Sequence, residues 1–376
     1  MTTRFDTIVI GVGGMGSATV YQLAARGQRV LGIEQFDIPH SQGSSHGVNR
    51  IIRLAYFEHP SYVPLLWRAF ELWREIELWV NQRLLVVTGA LDIGTAASET
   101  ITGSLRSCNE WHLRHELLDH NDVARRFPAY QLPAGHVAVY QPDGGFVMSE
   151  QAIIAHVMAA LDLGAEVHGR ERVLEWQPEG DGIRVRTDRD RYWARRVVIT
   201  AGAWIGKVVP SLARVTSPER QVLAWFQPRR PERFDPRVFP VYNGEFEEGR
   251  FYGFPVSGVP GYKFGKYHHR EEIVDPDQAR REPDAIDERI LRQFAERYFP
   301  DGAGATLALR TCLFTNTPDE HFIIGPLAAE PRVIVASPCS GHGYKFCSVI
   351  GEILADLAID GGSRHDVRLF DPDRIG

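Results

Sequence analysis

A chain of 376 residues is long enough for two domains, or for one large domain carrying an insertion. Its 44% hydrophobic and 24% charged content is ordinary for a globular enzyme, and a net charge of −6 excludes a polybasic nucleic-acid or membrane surface. No apolar run approaches the roughly 20 residues of a membrane span, and the first residues run into a strand without a signal-peptide core, so a cytoplasmic protein is expected.

Thr7-Ile8-Val9-Ile10 is a short apolar run before a glycine and reads as a buried parallel strand. Gly11-Val12-Gly13-Gly14-Met15-Gly16 follows, then a helix over about Ser17 to Arg26 closed by Gly27, then a second strand over Arg29 to Glu34. These make a βαβ unit. A Gly/Ser/His-rich loop spans Ser41 to Gly47. Leu66, Phe70, Trp73 and Ile76 recur at helical spacing and predict an amphipathic helix from about Ser61 to Glu77. Past residue 80 the texture turns to short β-like runs, such as Leu84 to Val87 and Val137 to Tyr140. A helix from about Ser149 to Leu163 and a strand over Arg196 to Ala203 return to α/β texture. A β-rich, aromatic stretch runs from about Glu219 to Pro318, with a helix near Ile286 to Tyr298. A strand over Arg332 to Ser337 and a helix over Tyr344 to Ile359 end the pattern. The expectation is an α/β fold: a Rossmann-type domain built from 1–80, 146–218 and 319–376, interrupted by a β-rich substrate domain from 81–145 and 219–318.

Gly11-x-Gly13-x-x-Gly16 between strand and helix, with Glu34 ending the next strand, is the dinucleotide-binding pattern. The first glycine permits the tight turn, the second lets backbone approach a pyrophosphate, and the third allows close helix–strand packing. Helix N–H groups face the phosphates, and Glu34 can accept from ribose hydroxyls. The pattern does not separate FAD from NAD. Gly43 to Arg53 reads either as a loop wrapping a cofactor, with Arg50 and Arg53 inward, or as a solvated surface loop. Ser340-Gly341-His342-Gly343-Tyr344-Lys345 exposes backbone N–H groups at a helix start. Lys345 there opposes the helix dipole, so it reaches solvent or meets an anion. Cys108, Cys312, Cys339 and Cys347 form no C-x-x-C pair, so neither a zinc site nor a disulfide framework is expected. A lone cysteine such as Cys312 is more often core filler. Lysine is scarce against arginine, with only Lys207, Lys263, Lys266 and Lys345. A retained lysine offers a tunable ammonium that arginine does not.

Together the motifs resemble the monomeric sarcosine oxidase family, which includes N-methyltryptophan oxidase. The resemblance covers essentially the whole chain and is most specific over Gly43–Tyr56, Tyr252–Lys263, Thr311–Ile324 and Ser340–Glu352. It implies FAD attached covalently through a cysteine sulfur at the flavin 8α carbon. The cysteine in place before Pro318-Asp319-Glu320-His321-Phe322-Ile323-Ile324 is Cys312. It implies that Arg53 and Lys345 hold the substrate carboxylate. It implies that Lys263, eleven residues after Tyr252, activates oxygen, with Lys266 as the nearby alternative. Ser44, His46 and Arg50 fall in the flavin-contacting loop, and Gly341, His342 and Gly343 in the second cofactor-binding turn. Three departures stand out. Phe314 replaces a tyrosine by the substrate. The histidine after the oxygen-site lysine is displaced by one, so His268 and His269 compete. Ser337-Pro338-Cys339 replaces a Gly-Phe pair.

The resemblance therefore implies a monomer that oxidises a small secondary amino acid with O2, releasing peroxide. Sarcosine would give glycine and formaldehyde. N-methyltryptophan, pipecolate and fructosyl amino acids are the alternative substrates on the same fold.

Overall fold

The opening apolar run is extended by alternating residues on its N-terminal side, so the strand is Thr3–Ile10. The computed structural model describes residues 3–337 and 340–375; Pro338 and Cys339 lie outside the described residues. Thr3–Ile10 pairs in parallel with Val30–Ile33 on one side and Arg191–Ile199 on the other. Glu166–His168 extends the sheet beyond Val30–Ile33. The long strand Arg191–Ile199 changes partner along its far edge. Its first half pairs antiparallel with Gly182–Thr187, and its second half pairs in parallel with Glu330–Ser337.

Strands buried on both faces read as continuous apolar runs, which is why this sheet is visible as Ile8-Val9-Ile10 and Val197-Val198-Ile199. Helices Gly14–Ala25, Ser149–Asp162 and Cys347–Asp360 cover it. Gly351 lets the first and last of these touch: a Cβ there would lie 2.6 Å from the Ala18 carbonyl carbon.

The second eight-stranded sheet runs in the order Thr306–Asn316, Ser217–Phe226, Tyr262–Lys266, Gly249–Phe254, Val241–Phe246, Ala90–Thr95, His136–Gln141, Glu116–Asp119. Side chains alternate across a strand, so each strand feeds two faces. One face carries Phe226, Phe251, Tyr262 and Phe264 against the helix Ala285–Tyr298. There Phe251 and Phe294 stack with centroids 3.7 Å apart. Arg220 and Asp287, both buried, join sheet to helix at 2.7 Å. The opposite face carries Leu223, Trp225, Tyr252, Phe254 and Cys312. Lys263 stands on it too, in register with Trp225 and Phe254. A three-stranded sheet of Asn49–Ile52, Gly145–Met148 and Leu85–Val87 lies between the two large ones in sequence.

Several boundaries differ from the sequence pattern for physical reasons. The helix expected from Ser61 begins as a 3₁₀ turn, Pro60–Tyr62, and becomes α-helical over Val63–Val80. The last helix likewise starts as a 3₁₀ turn, Tyr344–Phe346, before Cys347–Asp360, so Lys345 precedes the α-helix instead of lying in its first turn. Helices Glu99–Glu110 and His120–Arg126 occupy a stretch that reads as β-like. Thr100, Gly103, Ser104 and Ser107 form the buried side of the first together with Ile101 and Cys108, so most of that side is small or polar. Its start is marked by Ser98, which caps Ile101 N, and that of the second by Asp119, which accepts from Asp122 N.

His156 sits in the core between two helices, its ring 5.5 Å from Trp73 and 5.7 Å from Tyr21. Burial lowers its pKa to about 4. An unfolded chain binds a proton at this histidine below about pH 6.5 that the folded chain refuses, so stability falls with pH by up to about 1.4 kcal/mol per unit. The loss accumulates between that value and about 4. Urea unfolding at pH 7 and pH 5 should therefore show a smaller loss for His156→Leu than for the native chain; parallel losses would refute the assignment.

Candidate active site

Among the described residues a cleft of about 500 Å³ opens over the ends of the parallel strands, lined by Gly11, Gly13, Glu34, Ser44, Arg50 and Gly341 among others. Gly11 has φ +95°, and a Cβ there would lie 2.6 Å from Thr200 O. A Cβ on Gly16 would lie 1.7 Å from Gly11 O, so neither position admits a side chain. Gly13 differs: a Cβ there would meet only Ser45 Oγ, at 3.4 Å, because this position looks into the cleft. Glu34, buried just past its strand, accepts from Val12 N at 2.9 Å and Phe36 N at 3.1 Å. Its carboxylate is thereby fixed at the cleft wall. A close-approach glycine, a helix N-terminus and an oriented carboxylate together fit a dinucleotide.

The loop after the second strand folds over this cleft and is not a free surface loop. Ser45 Oγ accepts from Gly14 N at 3.1 Å, and Ser44 Oγ donates to Leu313 O at 2.5 Å. Arg50 donates to Ser44 O at 2.6 Å and Asn49 O at 2.9 Å, and its guanidinium lies 3.7 Å from Cys312 Sγ. Cys312 is a buried free thiol. His46 is buried with Nε2 lacking a partner. Burial first, then Arg50, lowers its pKa to about 3, so the imidazole is neutral.

Arg53, Lys345, Lys263 and Tyr252 are buried as well. Arg53 is ion-paired to Glu58 at 3.2 Å and Asp92 at 3.3 Å and donates to Ala55 O at 2.7 Å. Burial disfavours charge on Glu58, but Arg53 and then Lys345 and Arg250 outweigh it and hold its carboxyl down at about 2. Burial wins at Asp92, pushing it up to about 6 against Arg53. Lys345 donates to His342 O at 2.6 Å. Arg53 and Lys345 converge on one ring, at 4.8 Å and 5.1 Å from the Tyr56 centroid. Tyr56 Oη in turn contacts His342 Nδ1 at 2.5 Å. His342 is buried and its pKa falls to about 4. Lys263 donates to both oxygens of Asn49, at 2.6 Å and 2.8 Å, and lies 4.1 Å from the Phe254 ring. Burial and Arg50 depress its pKa well below the usual lysine value. Lys266 points to the opposite face of the same strand and is half-buried.

Neither histidine of the competing pair reaches this face. His268 is partly exposed and paired with Glu219 at 2.7 Å and Glu320 at 3.7 Å, which raise it to about 9. His269 is buried on the far side against Asp287 at 3.2 Å. Tyr267 takes the place instead: its ring lies 5.2 Å from Tyr252 and 5.6 Å from Phe314, and its hydroxyl is 3.5 Å from Gly341 O. His268 is thus corrected to a flanking ion-pair residue. Glu58, Asp92, Asn49, Tyr56 and Tyr267 escaped the sequence reading. Glu58 follows Arg53 by five residues and Asn49 precedes Arg50, but Asp92 lies on a distant strand and carries no local signal.

Residues 6–357 match the FAD dependent oxidoreductase family. The chain is 42% identical to the monomeric sarcosine oxidase of Streptomyces avermitilis, over 100% of this chain and 99% of that one. It is 34% identical to the N-methyl-L-tryptophan oxidase of Citrobacter koseri, over 99% of each. The chain belongs to the family of FAD-dependent oxidoreductases that includes these two enzymes. The fold is similar to that of NikD, an amino acid oxidase of nikkomycin biosynthesis, with a TM-score of 0.86, 26% identity and coverage of 99% and 98%. Glycine oxidase from Geobacillus kaustophilus shares the fold, with a TM-score of 0.83 at 19% identity over 99% of each chain.

Burial, then Arg53, lowers the Lys345 ammonium to about 7. A lysine carries its charge below its pKa, so an anion held by Lys345 should bind more weakly as pH rises through about 7. The dissociation constant of methylthioacetate, titrated from about pH 6 to pH 9, should rise across this midpoint and the rise should vanish in Lys345→Met. A native profile without an inflection near neutrality would refute the shift.

Proposed function

We propose that this enzyme, an FAD-dependent oxidase of amino-acid CH–NH bonds, demethylates sarcosine and similarly small N-methyl amino acids with O2 and water. Sarcosine gives glycine, formaldehyde and hydrogen peroxide. The observation that carries this reading is the convergence of Arg53 and Lys345 on the Tyr56 ring, in a chain up to 42% identical to sarcosine oxidases along its whole length. Two buried cations on one aromatic wall suit a carboxylate, and fixing it orients the rest of a small substrate.

FAD would be held by the Gly11–Gly16 turn with Val12, Gly14 and Met15, by Glu34, by Ser44, His46 and Arg50, and by Gly341–Gly343. Cys312 would carry the covalent bond. Bound FAD supplies the two-electron acceptor and the reaction with oxygen. The chain supplies the rest. Arg53 and Lys345 orient the carboxylate. Tyr252, Tyr267 and Phe314 line an apolar space that disfavours a charged amine by desolvation, so the substrate reacts as the neutral amine. Lys263, held by Asn49, would stand where a developing anion from oxygen needs a cation, and that anion would favour its protonated form. The relatives' description as monomeric supports a monomer. No helix among the described residues is long and apolar enough to cross a membrane.

Flavin should stay with the denatured native protein and pass to the supernatant in Cys312→Ser; flavin that remains bound in the variant would refute the tether. Lys263→Met should slow reoxidation by oxygen at least about 10²-fold, with a smaller effect on anaerobic reduction by substrate. Lys266→Met, on the other face of the strand, should leave reoxidation near native. A large loss in Lys266→Met alone, or in neither variant, would overturn the assignment. Lys345→Met tests carboxylate binding better than Arg53→Met, because removing Arg53 strands Glu58 and Asp92 as buried charges at a cost of about 3–5 kcal/mol.

A further inference from the structure

The cations of this site are not equally occupied. Arg53 holds two carboxylates and a carbonyl, Lys345 a carbonyl, Lys263 two oxygens of Asn49, and Arg50 two carbonyls. Arg250 differs. Among the described residues its guanidinium donates no hydrogen bond and forms no ion pair, and the side chain is half-buried. It lies 3.9 Å from the Tyr267 ring centroid and 5.2 Å from that of Phe57. Two positions before Tyr252 on the strand Gly249–Phe254, it stands on the face that carries Tyr252 and Phe254.

Phe57 connects this arginine to the proposed carboxylate site. Its ring lies 5.0 Å from the Arg53 guanidinium carbon and 5.2 Å from that of Arg250. Both guanidinium groups thus lie about 5 Å from one phenyl ring, which makes Arg250 the next cation along the aromatic wall from the proposed carboxylate site. Glu58 and Glu320 act on Arg250 through space, yet neither comes within ion-pair distance. Tyr267 and Phe57 pack against the guanidinium carbon, and its N–H donors have no hydrogen-bond acceptor among the described residues. A planar fork held this way is preorganised for bidentate capture of a carboxylate.

Resting on the amine-oxidase reading above, we infer that Arg250, stacked on Tyr267, selects N-methyl amino acids whose side chain carries a second carboxylate. The α-carboxylate takes Arg53 and Lys345, and the side-chain carboxylate takes Arg250. The chemistry at the amine is unchanged; only the side chain is read.

The test compares N-methylaspartate and N-methylglutamate with N-methylasparagine and N-methylglutamine, with sarcosine alongside. Anaerobic flavin reduction and kcat/KM are measured for the native holoenzyme, Arg250→Met and Arg250→Lys. An acid should exceed its amide by on the order of 10-fold to 100-fold in the native enzyme, as expected of a charge-assisted hydrogen bond. Arg250→Met should bring that ratio close to one, and Arg250→Lys should restore part of it. Equal rates for acid and amide in the native enzyme, or a preference that survives in Arg250→Met, would overturn the inference while leaving the amine-oxidase reading intact. Failure of every amine, sarcosine included, to reduce the flavin would remove both. Perturbation of the flavin spectrum by succinate and by succinamate gives a reading independent of turnover, and equal affinity for the two would also count against Arg250.

Discussion

A guanidinium buried with two carboxylates is the constraint on which the rest of the site depends. Arg53 cannot be desolvated alone, since an unpaired charge in the interior costs several kcal/mol. Glu58 and Asp92 meet that cost from different parts of the chain: Glu58 from the segment just after Arg53, and Asp92 from a strand of the second sheet. The ion pairs therefore tie the loop that covers the glycine turn to the sheet that carries Lys263 and Cys312. Ser104, on the helix Glu99–Glu110, donates to Asp92 at 2.9 Å and completes the support. A helix whose buried side is mostly small or polar thus gains a purpose in holding Asp92.

Two carboxylates on one arginine also leave the pair unequal. Glu58 stays ionised, whereas Asp92 is pushed up to about 6. With Lys345 near 7, the protonation of both Lys345 and Asp92 changes close to neutral pH. A carboxylate entering beside Arg53 favours the protonated forms of Lys345 and Asp92, and so would recruit charge to itself. The aromatic wall of Tyr56, Phe57 and Tyr267 keeps this exchange in a low dielectric, where it is strongest.

The parallel sheet was legible because both its faces are buried, so apolar runs such as Val197–Ile199 have no polar interruption. The glycine turn was legible because Gly11 and Gly16 are steric necessities that no other residue can meet. The helix Glu99–Glu110 was not legible, since only Ile101 and Cys108 of its buried side are apolar and its start depends on one serine cap. The site was legible where the residues are close in sequence, as with Ser44, His46, Arg50 and Arg53. It was not where partners come from distant strands. Asp92 meets Arg53 only through tertiary packing, and Tyr267 displaces the two histidines because strand alternation and the positive φ of His268, 49°, turn that side chain towards Glu219.

The scarcity of lysine takes its meaning from where the four lie. Lys207 pairs at the surface with Asp275 and Asp277, and Lys266 is half-buried on the helix-covered face. Lys263 and Lys345 are buried, and burial lowers both. An arginine at either place would stay charged under all ordinary conditions and would demand more acceptors than Asn49 or His342 O can offer. A lysine can give up its proton when the site is empty and take it back when an anion arrives. Arginine stands where two buried carboxylates need a permanent charge, as at Arg53, and lysine where burial has lowered the pKa of the cation.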